Sequence, residues 1–131
     1  MHAYVLTSLA TLLVVLVMFS ASGLTGKARS RYKIAAPATT GHEGFERAFR
    51  AQMNTMEWAL MFLPALWVFA YNVSDLYAGG LAMIACAGRL WYIVSYIQDP
   101  RKREAGFVIG HVALAVAALW SLCALILQLL G

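Results

Sequence analysis

Residues 45–58 read FERAFRAQMNTMEW, and the apolar run Ala59–Ala70, broken only by Pro64, follows directly. The two stretches together are long enough to cross a bilayer. The first half nevertheless carries Glu46, Arg47, Arg50, Gln52, Asn54 and Glu57. Ionisable groups at bilayer depth are costly and face a partner, a cavity or a ligand. The reading of this segment therefore fixes both the fold class and the place where chemistry is expected.

The rest of the chain supports a membrane reading. Of 131 residues, 62% are hydrophobic and 12% charged, against about half and about a quarter in soluble domains. The apolar residues gather into four blocks, approximately 3–24, 46–71, 76–98 and 104–130. Each has the length of a transmembrane helix, about 20 residues for about 30 Å of hydrocarbon. The expected fold is all-α, one domain over 1–131, a bundle of four transmembrane helices. The first block lacks a basic leader and is too long for a secretory signal. Gly23 or Gly26 is expected to end helix 1. Pro64 is expected to kink helix 2. Asp99–Pro100 should end helix 3.

The net charge of +4 is not a nucleic-acid signal, because of where the charge lies. Lys27, Arg29, Arg31, Lys33, Arg47 and Arg50 form one window and Arg101, Lys102 and Arg103 another; only Arg89 stands apart. The positive-inside rule then places both basic loops in the cytoplasm and both termini on the opposite side. Short loops and no C-terminal retention tail point to a bacterial inner membrane. Cys86 and Cys123 have neither a disulfide pattern nor metal-ligand spacing, so no metal is expected. His111 reads as a satisfied histidine before a proton shuttle.

Helical spacing organises the polar residues. Arg50, Asn54 and Glu57 fall at i, i+4 and i+7, on one face of helix 2, with Trp58 beside it. Gln52 points elsewhere, towards another helix or subunit. Arg89, Tyr92 and Tyr96 share a face of helix 3, and Arg103 would continue it if the helix ran past Pro100. A purely structural alternative pairs Arg50 and Arg89 with Glu46 and Glu57. The arginines Arg29, Arg47, Arg50, Arg89 and Arg103 outnumber the nearby acids, however. Such a surplus suits an anionic guest carrying more than one carboxylate.

FERAFRAQMNTMEW (45–58) resembles the signature of the MAPEG family, the membrane-associated proteins in eicosanoid and glutathione metabolism. GKARSRYKI (26–34) with P-x-T-T-G (37–41), and RLWYIVSY (89–96) with P-x-K-R (100–103), extend the resemblance over about residues 25–107. The type is that of microsomal glutathione S-transferase 2 and leukotriene C4 synthase. The resemblance implies a homotrimer that binds glutathione between subunits, through Arg29, Arg50, Gln52, Asn54, Glu57, Trp58, Arg89, Tyr92 and Tyr96. It implies Arg103 as the catalytic residue beside the sulfur. A fixed cation favours the thiolate over a thiol whose ordinary pKa is about 8.5. The implied activity is transfer of glutathione to lipophilic electrophiles dissolved among the membrane lipids, with reduction of lipid hydroperoxides as a second activity. A non-enzymatic lipid-binding scaffold of the same family is the alternative. Three departures stand out: Trp58 where the family has a residue that can be Tyr, Ser30 in place of a second arginine, and a proline displaced to Pro64.

Overall fold

The computed structural model describes residues 4–131. Ala3, where the first helix was expected to begin, lies outside them. Four long helices account for nearly all of it: α1 (Val5–Arg31), α2 (Glu43–Asn72), α3 (Asp75–Gln98) and α4 (Glu104–Leu130). A 3₁₀ turn, Pro100–Lys102, joins the last two.

Side-chain bonds fix the direction of each helix. Thr25 Oγ1 donates to the Ala48 carbonyl near one end of α1. Trp67 Nε1 donates to Thr11 Oγ1 near the other. α2 therefore runs antiparallel beside α1 for most of its length. The Val73–Ser74 turn reverses the chain into α3, and Ser74 caps that helix by accepting from the Tyr77 N–H. The result is an up-down-up-down bundle of the kind short connections favour.

α1, α3 and α4 are long and apolar enough to cross a membrane. α2 falls outside that description because its first half carries the charged stretch. The chain is an integral membrane protein on these spans.

The bundle packs inside out relative to a soluble one. Thr7, Ala10, Val14, Val17, Ala21 and Thr25 form the buried stripe of α1. That of α4 is Gly106, Gly110, Ala113, Ala117 and Ser121. Larger residues, among them Leu9, Leu12, Leu16, Phe19 and Leu119, point outward. Lipid tails are as apolar as leucine, so helices associate here through close backbone approach rather than through hydrophobic burial. Gly106 has the tightest fit. A Cβ there would sit 2.6 Å from the Gly88 carbonyl oxygen, within the α3 backbone.

One expected boundary moves. α1 does not stop at Gly23 or Gly26 but continues to Arg31. Hydrocarbon offers no water to an open backbone group, so an uninterrupted helix outweighs glycine's preference for turns. The end is instead made by Lys33, in the left-handed region at φ 55. The Lys33 N–H donates to the Ser30 carbonyl and the Ile34 N–H to the Arg29 carbonyl, the paired closure of a Schellman motif. α3 ends at Gln98, with Asp99 extended before Pro100, as expected from the crowding a proline imposes on its predecessor. Arg103 consequently does not prolong the α3 face. It belongs to the start of α4 and returns towards α3 from the opposite side of the turn.

At the other end of the bundle, Asp75 does more than mark a turn. Its carboxylate accepts from the Leu6 and Thr7 N–H groups at 3.0 and 2.8 Å and from Thr7 Oγ1 at 2.6 Å. The positive ends of α1 and α3 thus converge on one carboxylate. Nothing in the local sequence around Asp75 announces this tie, because its partners are 68 and 69 residues away.

Candidate functional site

The face of α3 predicted from spacing is real and divided in depth. Arg89 and Tyr92 are fully buried and Tyr96 is half-buried. Tyr92 Oη accepts from Asn54 Nδ2 at 2.6 Å. Arg89 Nη2 donates to the Asn54 backbone carbonyl at 2.5 Å. The Arg89 guanidinium lies 4.4 Å from the centroid of the Tyr92 ring and 5.2 Å from that of Trp58. Cation–π contact strengthens when the cation is desolvated, as this one is. The Nε and Nη1 atoms of Arg89 are buried without a protein partner.

Arg89 and Trp58 are thus fully buried and do not line the cavity in front of them. Trp58 is fully buried, stacks on Phe62 with centroids 4.7 Å apart, and spends its one N–H on the Gly110 carbonyl of α4 at 3.0 Å. Its polar edge does not face open space.

In front of them is a cavity of about 420 Å³ lined by Asn54, Tyr92, Arg103, Glu104, Phe107 and Val108. It joins residues from α2, α3 and α4, with polar groups on one wall and Phe107 and Val108 on the other. Arg103 lies with its guanidinium 5.4 Å from the Tyr96 ring centroid, and Tyr96 stacks on Tyr92 at 5.6 Å. Beyond Tyr96 a second cavity, of about 470 Å³, is lined by Arg50, Glu43, Glu46 and Arg47 among others. Tyr96 thus lies between the two openings.

The cations differ in their freedom. Arg101 pairs with Asp99 at 3.2 Å. Its guanidinium and backbone N–H hold the Asp99 carboxyl below the usual carboxylate range. Arg47 pairs with Glu43. Among the described residues these are the two ion pairs, so Arg50 and Arg89 are not matched with Glu46 and Glu57 as the structural alternative required. Arg50 and Arg103 are exposed.

Three predicted residues lie apart from this cluster within the protomer. Arg29 Nη1 donates to the Ile34 and Ala38 carbonyls at 3.3 and 2.9 Å and its guanidinium covers the Phe45 ring. It clamps the loop that follows α1. Gln52 is half-buried and Glu57 exposed, and neither lines the two cavities. His111 contacts the Phe107 carbonyl at 3.0 Å through Nδ1 and stacks on Phe107.

Spacing alone did not reveal the contribution of α4. Phe107 and Val108 line the cavity, and Gly106 and Gly110 set the distance between α4 and the other helices. The G-x-x-x-G spacing at 106–110 was a readable signal of such close approach.

The MAPEG family model matches residues 7–123. The uncharacterized protein sll1147 of Synechocystis sp. is 36% identical over 124 residues, 95% of this chain and 88% of that protein. Microsomal glutathione S-transferase 2 of Homo sapiens is 37% identical over 97 residues, 74% of this chain and 64% of its own length. Leukotriene C4 synthase of Bos taurus is 33% identical over 98 residues, 75% and 62% of the two chains. The matched region thus spans slightly less than two thirds of these two mammalian relatives. A match that runs through all four helices, and through the Asn54–Tyr92–Arg103 cluster, means that the chain belongs to the MAPEG family.

Proposed function

We propose that this protein is a membrane-bound glutathione transferase that holds glutathione as a thiolate and joins it to lipophilic electrophiles from the bilayer. Reduction of lipid hydroperoxides by the same thiolate is a second activity of this reading. α2 is taken as the fourth span, since it returns along α1 between the opposite ends of two spanning helices. Both basic loops then face the cytoplasm of a bacterial inner-membrane protein, where glutathione enters.

The observation that carries the reading is the single cavity where Asn54 and Tyr92 meet Arg103. Glutathione has two carboxylates, one ammonium and one thiol. Arg50 and Arg103 are exposed cations suited to carboxylate or thiolate, and Glu57 is an exposed carboxylate suited to the ammonium. Tyr92 accepts from Asn54, so its own hydroxyl hydrogen remains available to a sulfur in the cavity. A thiol within reach of Arg103 loses its proton to water and remains as the thiolate ion-paired to the guanidinium. The thiolate attacks the electrophile, forming a carbon–sulfur bond as the leaving group departs with its electron pair. Phe107 and Val108 give that electrophile an apolar wall. Arg29, Gln52 and Glu57 lie away from this cavity in one protomer, which suits contribution of these residues to a neighbour's site in a homotrimer.

Ultraviolet difference absorption on adding glutathione to the purified protein should show the thiolate. Arg103→Ala should abolish that signal and cut turnover of 1-chloro-2,4-dinitrobenzene by roughly a hundredfold or more, the range typical of a lost electrostatic stabiliser. A thiolate signal as strong in Arg103→Ala as in the parent would sink the role of Arg103. Bound lipid with neither thiolate nor turnover would favour the scaffold alternative.

A further inference from the structure

A second basic site lies at the same end of the bundle, on a different side. Between the end of α1, the start of α2 and the end of α3 is a crevice of about 210 Å³. Leu24, Lys27, Ala28 and Arg31 line it from α1. Their spacing of i, i+3, i+4 and i+7 puts them on one helix face. Tyr32 stands at the rim, with Ala48 and Ile97 from the neighbouring helices, and no carboxylate lines the crevice.

Both cations are exposed, and neither is in an ion pair. The carbonyls that end α1 are satisfied by the backbone N–H groups of Tyr32, Lys33 and Ile34, so neither side chain is needed as a cap. Arg29, one residue from this face, spends its guanidinium on carbonyls. Arg31 covers the Tyr32 ring at 5.6 Å from its centroid, and Lys27 has no acid in reach: the ion pairs of the described residues lie at Arg47 and Arg101.

We propose that this crevice binds the phosphate of an anionic phospholipid headgroup, with Lys27 and Arg31 as its ligands. The inference depends only on α1 crossing the membrane, not on transferase activity. Leu24 both lines the crevice and closes the outward apolar surface of Leu9, Leu12, Leu16 and Phe19. Lys27 lies one turn further along, about 4.5 Å up the axis at 1.5 Å per residue. Apolar floor and cationic rim are thus stacked as acyl chain and phosphate are stacked in a lipid. A free phosphate would use the rim and leave the floor bare. A zwitterionic lipid brings its own ammonium against two cations, whereas phosphatidylglycerol brings none. Basic pockets between helices at the cytoplasmic surface recognise anionic headgroups in this way.

Native mass spectrometry of the detergent-solubilised protein, titrated with equal phosphatidylglycerol and phosphatidylcholine, tests the site. Phosphatidylglycerol adducts should dominate by about tenfold, and Lys27→Gln with Arg31→Gln should remove the preference. Lys33→Gln with Lys102→Gln deletes the same charge elsewhere and should keep it. Three results would overturn the proposal: equal binding of the two lipids by the parent, equal loss in the control pair, or displacement of phosphatidylglycerol by inorganic phosphate but not by chloride at the same ionic strength. The last would make it a soluble-phosphate site.

Discussion

Arg89 is the residue on which the interior of the site turns. It is fully buried, donates to the Asn54 carbonyl, lies against Trp58 and Tyr92, and leaves two nitrogens without protein partners. A buried cation with unmet donors contributes little net stability, because its desolvation offsets what it gains. Arg89→Met keeps most of the volume and removes the unmet donors, so its unfolding free energy should stay within about 1 kcal/mol of the parent. Arg89→Ala removes the volume as well and should cost about 3 kcal/mol. Denaturant titration in micelles followed by circular dichroism separates the two. If Arg89 acts by holding Tyr92 and Asn54, Arg89→Met should nonetheless lose most glutathione turnover at nearly unchanged stability. Full activity in Arg89→Met would show that the cation positions nothing. The sequence placed Arg89 and Tyr92 on one face of α3, at i and i+3, since that arithmetic needs only the helix period; helix period alone does not bring Asn54 of α2 to them. It did not distinguish a residue that faces the cavity from one that supports it. Trp58 and Arg89 were both read as ligand residues. The Trp58 N–H is instead turned to the Gly110 carbonyl, 52 positions away, a contact that depends on the register of α4.

At the scale of elements, glycine shows the same limit of local reading. Gly23 and Gly26 looked like helix ends because glycine favours the left-handed cap. Both lie inside α1, where an added Cβ meets nothing within 4 Å. Gly23→Ala and Gly26→Ala should each stabilise α1 by about 0.5–1 kcal/mol, the usual gain for alanine over glycine in a helix. Gly106→Ala should act in the opposite direction. Its Cβ would meet the Tyr92 N–H and the Gly88 carbonyl oxygen, both backbone, so α3 and α4 must separate at a cost of about 1–3 kcal/mol. The separation moves Phe107 and Arg103 relative to Tyr92, and turnover should fall with stability. Thermal unfolding of the three variants in one detergent checks both signs; a Gly106→Ala protein as stable as the parent would mean that α3 and α4 do not meet so closely. The existence of four helices was legible from block length, and the end of α3 from Asp99–Pro100. The end of α1 and the Asp75 tie were not, because each is decided by partners or solvent beyond the local pattern.

At the scale of the molecule, the charged stretch that fixed the fold class also indicates what a single protomer lacks. Glu57 is exposed about 21 Å along α2 from Glu43, at 1.5 Å per residue, and such a carboxylate within the bilayer's depth needs a cavity or a neighbour. Gln52 points away from the Asn54 face, and Arg29 is committed to its own loop. A homotrimer that builds each site from two protomers accounts for these residues, and it makes a prediction that a self-contained site does not. Gln52→Ala and Arg103→Ala chains should each form trimers with strongly reduced transfer. In mixed trimers, one interface of the three joins an intact Gln52 to an intact Arg103. Mixed trimers isolated through both tags should therefore restore about one third of parental activity, one intact site of three in a cyclic assembly. Co-expression with two different affinity tags, sequential purification and turnover of 1-chloro-2,4-dinitrobenzene measure it. Native mass spectrometry of the same sample counts the protomers. Recovery near that level, with three copies per particle, would place Gln52 and Arg103 of different chains in one site. Particles of three copies with no recovery would confine the site to one protomer, and Gln52 would then act only through packing.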